Sequence, residues 1–269
     1  MLDKEFKSLL KADKYIIARK KPTEPECQLY LKEVDFCCPL CGKILRHRQQ
    51  KKSNKLYEIA HIFPNSPTKE QYEALYGLER LGNNSESFEN RIALCKDCHD
   101  NQDFHTTKDD YLKLLTIKKN CLEKTKLDEA TLSLGLEIQI ADVINKLANI
   151  NEEEFVTLNY SPVKLTKKFL PSEILLKNSV MNDVTNYYPY IRDLFKEIEN
   201  KNNFRFQVLS TQIKACYLKM EGISKDKALI FERIATWIGN ETGSRSKQAI
   251  EAIVSFFVQN CEVFNEITE

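Results

Sequence analysis

Apolar residues recur at three- and four-residue spacing through the second half of the chain, and each such stripe predicts a helix with one buried side. Leu136, Ile140, Val143, Ile144 and Leu147 mark one face. Four further runs follow: Ile191, Leu194, Phe195, Ile198; Leu209, Ile213, Tyr217, Met220; Phe231, Ile234, Ala235, Ile238; and Ile250, Ile253, Val254, Phe257. Gly222, Gly239 and Gly243 sit among these runs as stop signals. Upstream, Tyr111, Leu114 and Leu115 open another helix after Asp109. The first segment, Leu2 to Arg19, carries Phe6, Leu9 and Leu10 at helical spacing and predicts a helix that ends before Pro22 and Pro25. Phe155 to Phe169 is the least regular stretch, an extended linker or short strands.

From Cys37 to about His105 the pattern breaks down, and Cys, His, Asn and Pro are concentrated there. A segment of that kind buries little apolar surface, so a metal is expected to take the place of a core. With 269 residues and 42% hydrophobic content, the chain has room for two packed domains. No run of about 18 apolar residues occurs, and charges occupy the N-terminus where a signal peptide needs an apolar stretch. A cytoplasmic protein without membrane association is therefore expected. In a reducing compartment its nine cysteines read as metal ligands or redox centres and not as a disulfide framework. The net charge of +1 excludes a uniformly basic nucleic-acid binder. One local basic run remains: Lys43, Arg46, Arg48, Lys51, Lys52 and Lys55, with no acid between them. It is either a solvated loop or a phosphate-contacting patch.

Two knuckles stand out, Cys38-Pro39-Leu40-Cys41-Gly42 and Cys95-Lys96-Asp97-Cys98. Each is able to place two thiolates on one tetrahedral zinc ion about 2.3 Å from each sulfur, and together they make a four-cysteine structural site. Four unrelated thiols or a redox pair is the competing reading. Cys37 is a spare, while Cys27, Cys121, Cys216 and Cys261 lack knuckle spacing and read as small buried hydrophobes.

All four histidines fall in or beside the bracketed stretch: His47 within the basic run, and His61, His99 and His105. The order is Tyr57-Glu58-Ile59-Ala60-His61-Ile62-Phe63-Pro64, then a loop, then Asn90-Arg91-Ile92-Ala93-Leu94-Cys95, then Cys98-His99. Over roughly residues 37 to 105 this pattern resembles the HNH endonucleases, whose ββα-metal site combines a His-Ile-x-Pro strand end, an Asn before a second strand and a His opening a helix. The resemblance implies His61 as general base, Asn90 as an orienting group and His99 at a catalytic Mg²⁺ or Mn²⁺ ion, with zinc purely structural. Many members carry a ligand immediately before the catalytic His, where this chain has Ala60; others share Ala-His-Ile, and His105 is a candidate to complete coordination. Glu58 lies on the strand face opposite His61 and reads as a surface or packing residue. The substrate implied is double-stranded DNA, with Arg46, Arg48, Lys51 and Lys52 on its phosphates.

The ending Ser255-Phe256-Phe257-Val258-Gln259-Asn260-Cys261-Glu262-Val263-Phe264, after Gln212-Ile213-Lys214 and Trp237, resembles the C-terminal domain of effectors in bacterial ABC-three-component, Lamassu-type anti-phage systems. That resemblance implies docking on an SMC-like ABC-type ATPase with a small middle component. The same aromatic residues would equally form the core face of a last helix. The fold expected is α+β: a small zinc-stabilised ββα-metal HNH domain in residues 1–124, a helical or extended connection over 125–180, and a mainly α-helical partner-docking domain in 181–269. A free-standing restriction or homing-type nuclease would be expected to carry a DNA-reading module instead. Yet Ile250 to Glu269 holds four Glu and no Lys or Arg. A non-catalytic zinc adaptor that senses DNA is the third alternative.

Overall fold

Thr23 begins the first well-capped element: its side chain accepts from the Glu26 backbone N–H, Glu26 reaches back to the Thr23 N–H, and Pro25 sits in the first turn. The computed structural model describes residues 3–49, 52–150, 165–201, 205–260 and 262–265. In it α1 spans Asp3–Ala12 and stops well short of Arg19, while α2, Glu24–Glu33, starts where Pro22 and Pro25 read as helix breakers. Proline at a helix start removes only an amide that has no partner anyway, so here it marks a beginning.

The chain divides into two compact units, Met1–Thr125 and Lys126–Glu269. In the first, the antiparallel hairpin β1 (Arg46–Gln49) and β2 (Lys52–Lys55) precedes β3, Tyr57–His61. A short α3 (Lys69–Ala74) and a 3-10 turn at Phe88–Asn90 lead to β4, Arg91–Cys95, and then α4, Lys96–His105. Strands β3 and β4 pair antiparallel, with His61 opposite Arg91 and Tyr57 opposite Cys95, and α4 packs on both. This is the ββα unit. Contrary to the expectation of a metal in place of a core, every residue of β4 is buried. Ile62, Phe63, Leu75, Ile92 and Leu94 join Tyr30 and Leu31 of α2 and Tyr111 and Leu114 of α5 (Lys108–Thr131) in one apolar cluster. The buried Lys118 Nζ donates to both Glu33 carboxylate oxygens, at 2.7 and 2.6 Å, pinning α5 to α2. The same Nζ lies 4.1 Å from the Phe88 ring centre.

The second unit is helical throughout its described residues: α6 (Ile140–Ala148), α7 (Ile174–Lys201), α8 (Phe206–Glu221), α9 (Lys227–Thr242) and α10 (Lys247–Gln259). Each apolar stripe read from the sequence faces a shared core, in which Leu209, Ile213, Ile234, Ile253 and Phe257 are fully buried. Gly222 and Gly243 cap α8 and α9. Gly239 does not end a helix: it lies inside α9, where a Cβ would come within 3.3 Å of Ile250 Cδ1, so it admits α10 to close range. Part of the irregular Phe155 to Phe169 stretch, residues 155–164, lies outside the described residues. Its end forms a 3-10 turn, Leu165–Lys168, whose buried Lys168 Nζ donates to Val258 O at 2.5 Å. Among the described residues no helix is long and apolar enough to cross a membrane.

Candidate active site and metal centres

The first knuckle follows α2 through Asp35 and Phe36, both at positive φ. The Cys38 N–H donates to Lys43 O and the Gly42 N–H to Cys38 O, each at 2.7 Å, closing a tight loop around the cysteine pair. Gly42 takes φ +75°, a conformation that L side chains resist. The second pair is positioned differently: Cys95 ends β4 and caps α4, and Cys98 stands in the first turn of α4. All four ligand sulfurs lie within 4.8 Å of one another. The Cys41 and Cys95 sulfurs are 3.6 Å apart, far beyond the bond length of a disulfide, about 2.05 Å. Lys43 Nζ donates to Asp97 Oδ2 at 2.5 Å, bridging one knuckle to the other. The Lys43 backbone N–H brings the Cys41 thiol down to about 7, whereas burial pushes the Cys95 and Cys98 thiols up. Four thiol donors in one closed cluster fit a tetrahedral, soft-ligand cation. Of the spare cysteines, Cys27 and Cys216 are buried and Cys37 and Cys121 half-buried; Cys261 lies outside the described residues.

His61 ends β3 with its side chain 9% exposed. Its Nε2 lies 2.7 Å from Glu86 Oε1. That carboxylate is surrounded by donors: Asn65 Nδ2 at 2.9 Å on Oε1, and on Oε2 the Lys20 N–H at 2.9 Å and Arg91 Nη1 at 3.5 Å. A carboxylate held by so many donors can only accept, so neutral His61 carries its proton on Nε2 and its lone pair on Nδ1. Burial holds the His61 pKa below its ordinary 6.5, with Glu86 opposing the shift. Asn90, fully buried, clamps the segment after His61: its Nδ2 donates to Phe63 O (3.0 Å) and Ser85 O (2.8 Å), and its Oδ1 accepts from the Phe63 N–H (2.9 Å). The loop that carries Glu86 turns at Gly82, φ +72°, where a Cβ would fall 2.4 Å from Ser87 Cβ. Glu86 was not singled out from the sequence; it lies 25 residues from His61 and no spacing rule connects them.

His99 lies in α4, immediately after Cys98, and its side chain is 8% exposed. Its buried Nδ1 makes no hydrogen bond. Around that atom stand Glu58 Oε2 at 3.2 Å, Asp103 Oδ2 at 3.7 Å and Asp100 Oδ1 at 3.9 Å. Strand alternation puts Glu58 and Ala60 on one face of β3 and His61 on the other. The Glu58 face meets α4, so the expected surface or packing role of Glu58 gives way to an approach on His99. Gln102 Nε2, also on α4, donates to His61 O and Ile62 O at 3.2 Å each, tying the helix to the strand end. His105 ends α4, and its side chain lies outside the described residues.

Of the basic run, Arg46, Arg48, Lys52 and Lys55 fall in the strands of the β1–β2 hairpin, with Arg46 opposite Lys55 and Arg48 opposite Ser53. Arg46 Nη1 stands 3.9 Å from Glu24 Oε1 and Lys55 Nζ lies 5.0 Å from the Tyr57 ring centre. Lys51 and the side chains of Arg48 and Lys52 lie outside the described residues.

A four-thiol cluster at one end of the β3–β4 pair and a carboxylate-backed histidine at the other define a class, and comparison of the chain with known families agrees. Residues 38–105 match the model of an HNH endonuclease. Residues 127–264, more than half of the chain, match C-terminal domain 11 of the ABC-three component (ABC-3C) systems, and the chain belongs to that family. No curated protein and no solved structure matches it.

Proposed function

We propose that this chain is a metal-dependent DNA endonuclease that hydrolyses phosphodiester bonds, serving as the effector subunit of a bacterial anti-phage complex with an SMC-like ATPase and a small middle component. The observation that carries the reading is the buried His61–Glu86 contact within the span matched by the HNH endonuclease model. Neutral at pH 7, His61 is able to take a proton from water at Nδ1, the nitrogen that Glu86 leaves free. Glu86 stabilises the imidazolium that results, and Asn90 fixes the backbone on which His61 turns. His99 would help hold a Mg²⁺ or Mn²⁺ ion, which would supply positive charge against the scissile phosphate. Zinc in the four-cysteine cluster is structural, with Cys38, Cys41, Cys95 and Cys98 as ligands. Arg46, Arg48, Lys51 and Lys52 contact the phosphates of double-stranded DNA and position the duplex without reading its bases.

The test is plasmid nicking by the purified chain with Mg²⁺ or Mn²⁺, alone and with its ATPase partner, beside His61→Ala. The expected outcome is metal-dependent cleavage that falls about 10²- to 10⁴-fold in the variant, the usual contribution of a general base. One observation favours a second reading, a non-catalytic DNA-sensing adaptor: Ala60 stands where many HNH nucleases carry a ligand. Zinc-loaded chain that binds DNA but never cuts it, even in the assembled complex, would establish the adaptor.

A further inference from the structure

We propose that Glu58 and His99, flanked by Asp100 and Asp103, form a seat for one hard divalent cation, distinct from the thiol cluster, in which Glu58 supplies the carboxylate that Ala60 cannot. The first observation is the orphaned nitrogen. His99 Nδ1 is buried and has no hydrogen-bond partner, a costly state unless something else satisfies the nitrogen. It faces the Glu58, Asp103 and Asp100 carboxylate oxygens without a hydrogen bond to any of them. A cation between them resolves both sides at once, since the imidazole and the carboxylates all present lone pairs to it.

The second observation is spacing. An octahedral ion with bonds of about 2.1 Å holds neighbouring ligand atoms about 3 Å apart and opposite ones about 4.2 Å apart. The separations from His99 Nδ1, 3.2 Å to Glu58, 3.7 Å to Asp103 and 3.9 Å to Asp100, fall between those two values. Oxygen-rich donors favour Mg²⁺ or Mn²⁺ over the soft ions that thiolates select. The carboxylates are about half exposed, 45% for Glu58, 53% for Asp100 and 49% for Asp103, so the seat opens to solvent above a buried nitrogen floor. An open side is what a phosphate oxygen would need. This seat deepens the proposed nuclease reading, and rests on it only for what the ion does.

The experiment is Mn²⁺ titration of the full zinc-loaded chain, following the free-ion EPR signal, for wild type, Glu58→Gln and His61→Ala. Wild type should bind one Mn²⁺ that Mg²⁺ displaces, at unchanged zinc content. Glu58→Gln keeps the shape of a half-exposed side chain and should weaken Mn²⁺ by about tenfold or more, whereas His61→Ala should bind as wild type does. Equal affinity in Glu58→Gln, or no Mn²⁺ bound by wild type, overturns the proposal. The two readings fail separately: a chain that binds Mn²⁺ through Glu58 yet never cuts DNA loses the nuclease and keeps the seat. Cleavage that survives with Mn²⁺ affinity indifferent to Glu58 does the opposite.

Discussion

Glu86 decides which nitrogen of His61 is basic and how basic it is. Burial lowers the His61 pKa below 6.5 and Glu86 partly restores it, so the neutral, proton-accepting form prevails at pH 7. Cleavage should therefore hold through neutral pH and decline only as pH falls through a value below 6.5. Replacing Glu86 with Gln removes the restoring influence, so the acid limb should move to still lower pH while the rate drops. A rate loss with an unmoved limb would mean that Glu86 only supports the fold. The same depressed pKa has a stability counterpart: the unfolded chain binds this proton more readily, so His61 subtracts stability as pH falls from about 6.5 toward its folded value. His61 and His99 stand out in the sequence because histidine is rare in it, and Asn90 because of its place in the order His, Asn, His. Glu86 and the approach of Glu58 to His99 do not, because each depends on a loop or helix returning to a strand from a distance that no local pattern encodes.

Among the elements, the long amphipathic helices of the second unit are legible because burial of one face repeats every turn. The first unit is less so. Its core is assembled from β4, the turn after β3 and two flanking helices, none of which offers more than a few periodic positions. Pro25 misleads in the same region because a helix start and a helix stop share proline, and only the Thr23–Glu26 capping pair distinguishes them. The α2–α5 contact makes a sharp prediction. Lys118→Met should destabilise the first unit by about 3–5 kcal/mol, because Glu33 is left buried and unpaired. Glu33→Leu with Lys118→Met should recover most of that loss, as measured by chemical denaturation. A single variant as stable as wild type would show that the pair is not desolvated.

On the scale of the whole molecule, each unit carries its own buried cluster, so perturbations should be readable one unit at a time. Phe257 is fully buried and stacks on Phe206 with ring centres 6.0 Å apart and planes 8° from parallel. Its truncation in Phe257→Ala should cost the helical unit about 3–5 kcal/mol and leave bound zinc unchanged. Cys95→Ser should do the reverse, releasing zinc and loosening the ββα unit, with metal analysis and thermal melts as the readouts. Cys98 and His99 are consecutive on α4, so the thiol cluster also sets the rotational phase of the imidazole. One residue inserted between them would swing that ring about 100° around the helix axis and away from Glu58. The loop between β3 and β4 is free of that constraint wherever it does not carry Asn65, Glu86 or Asn90. Length variation belongs in the loop, and the one-residue step from sulfur to nitrogen acts as a ruler that admits none.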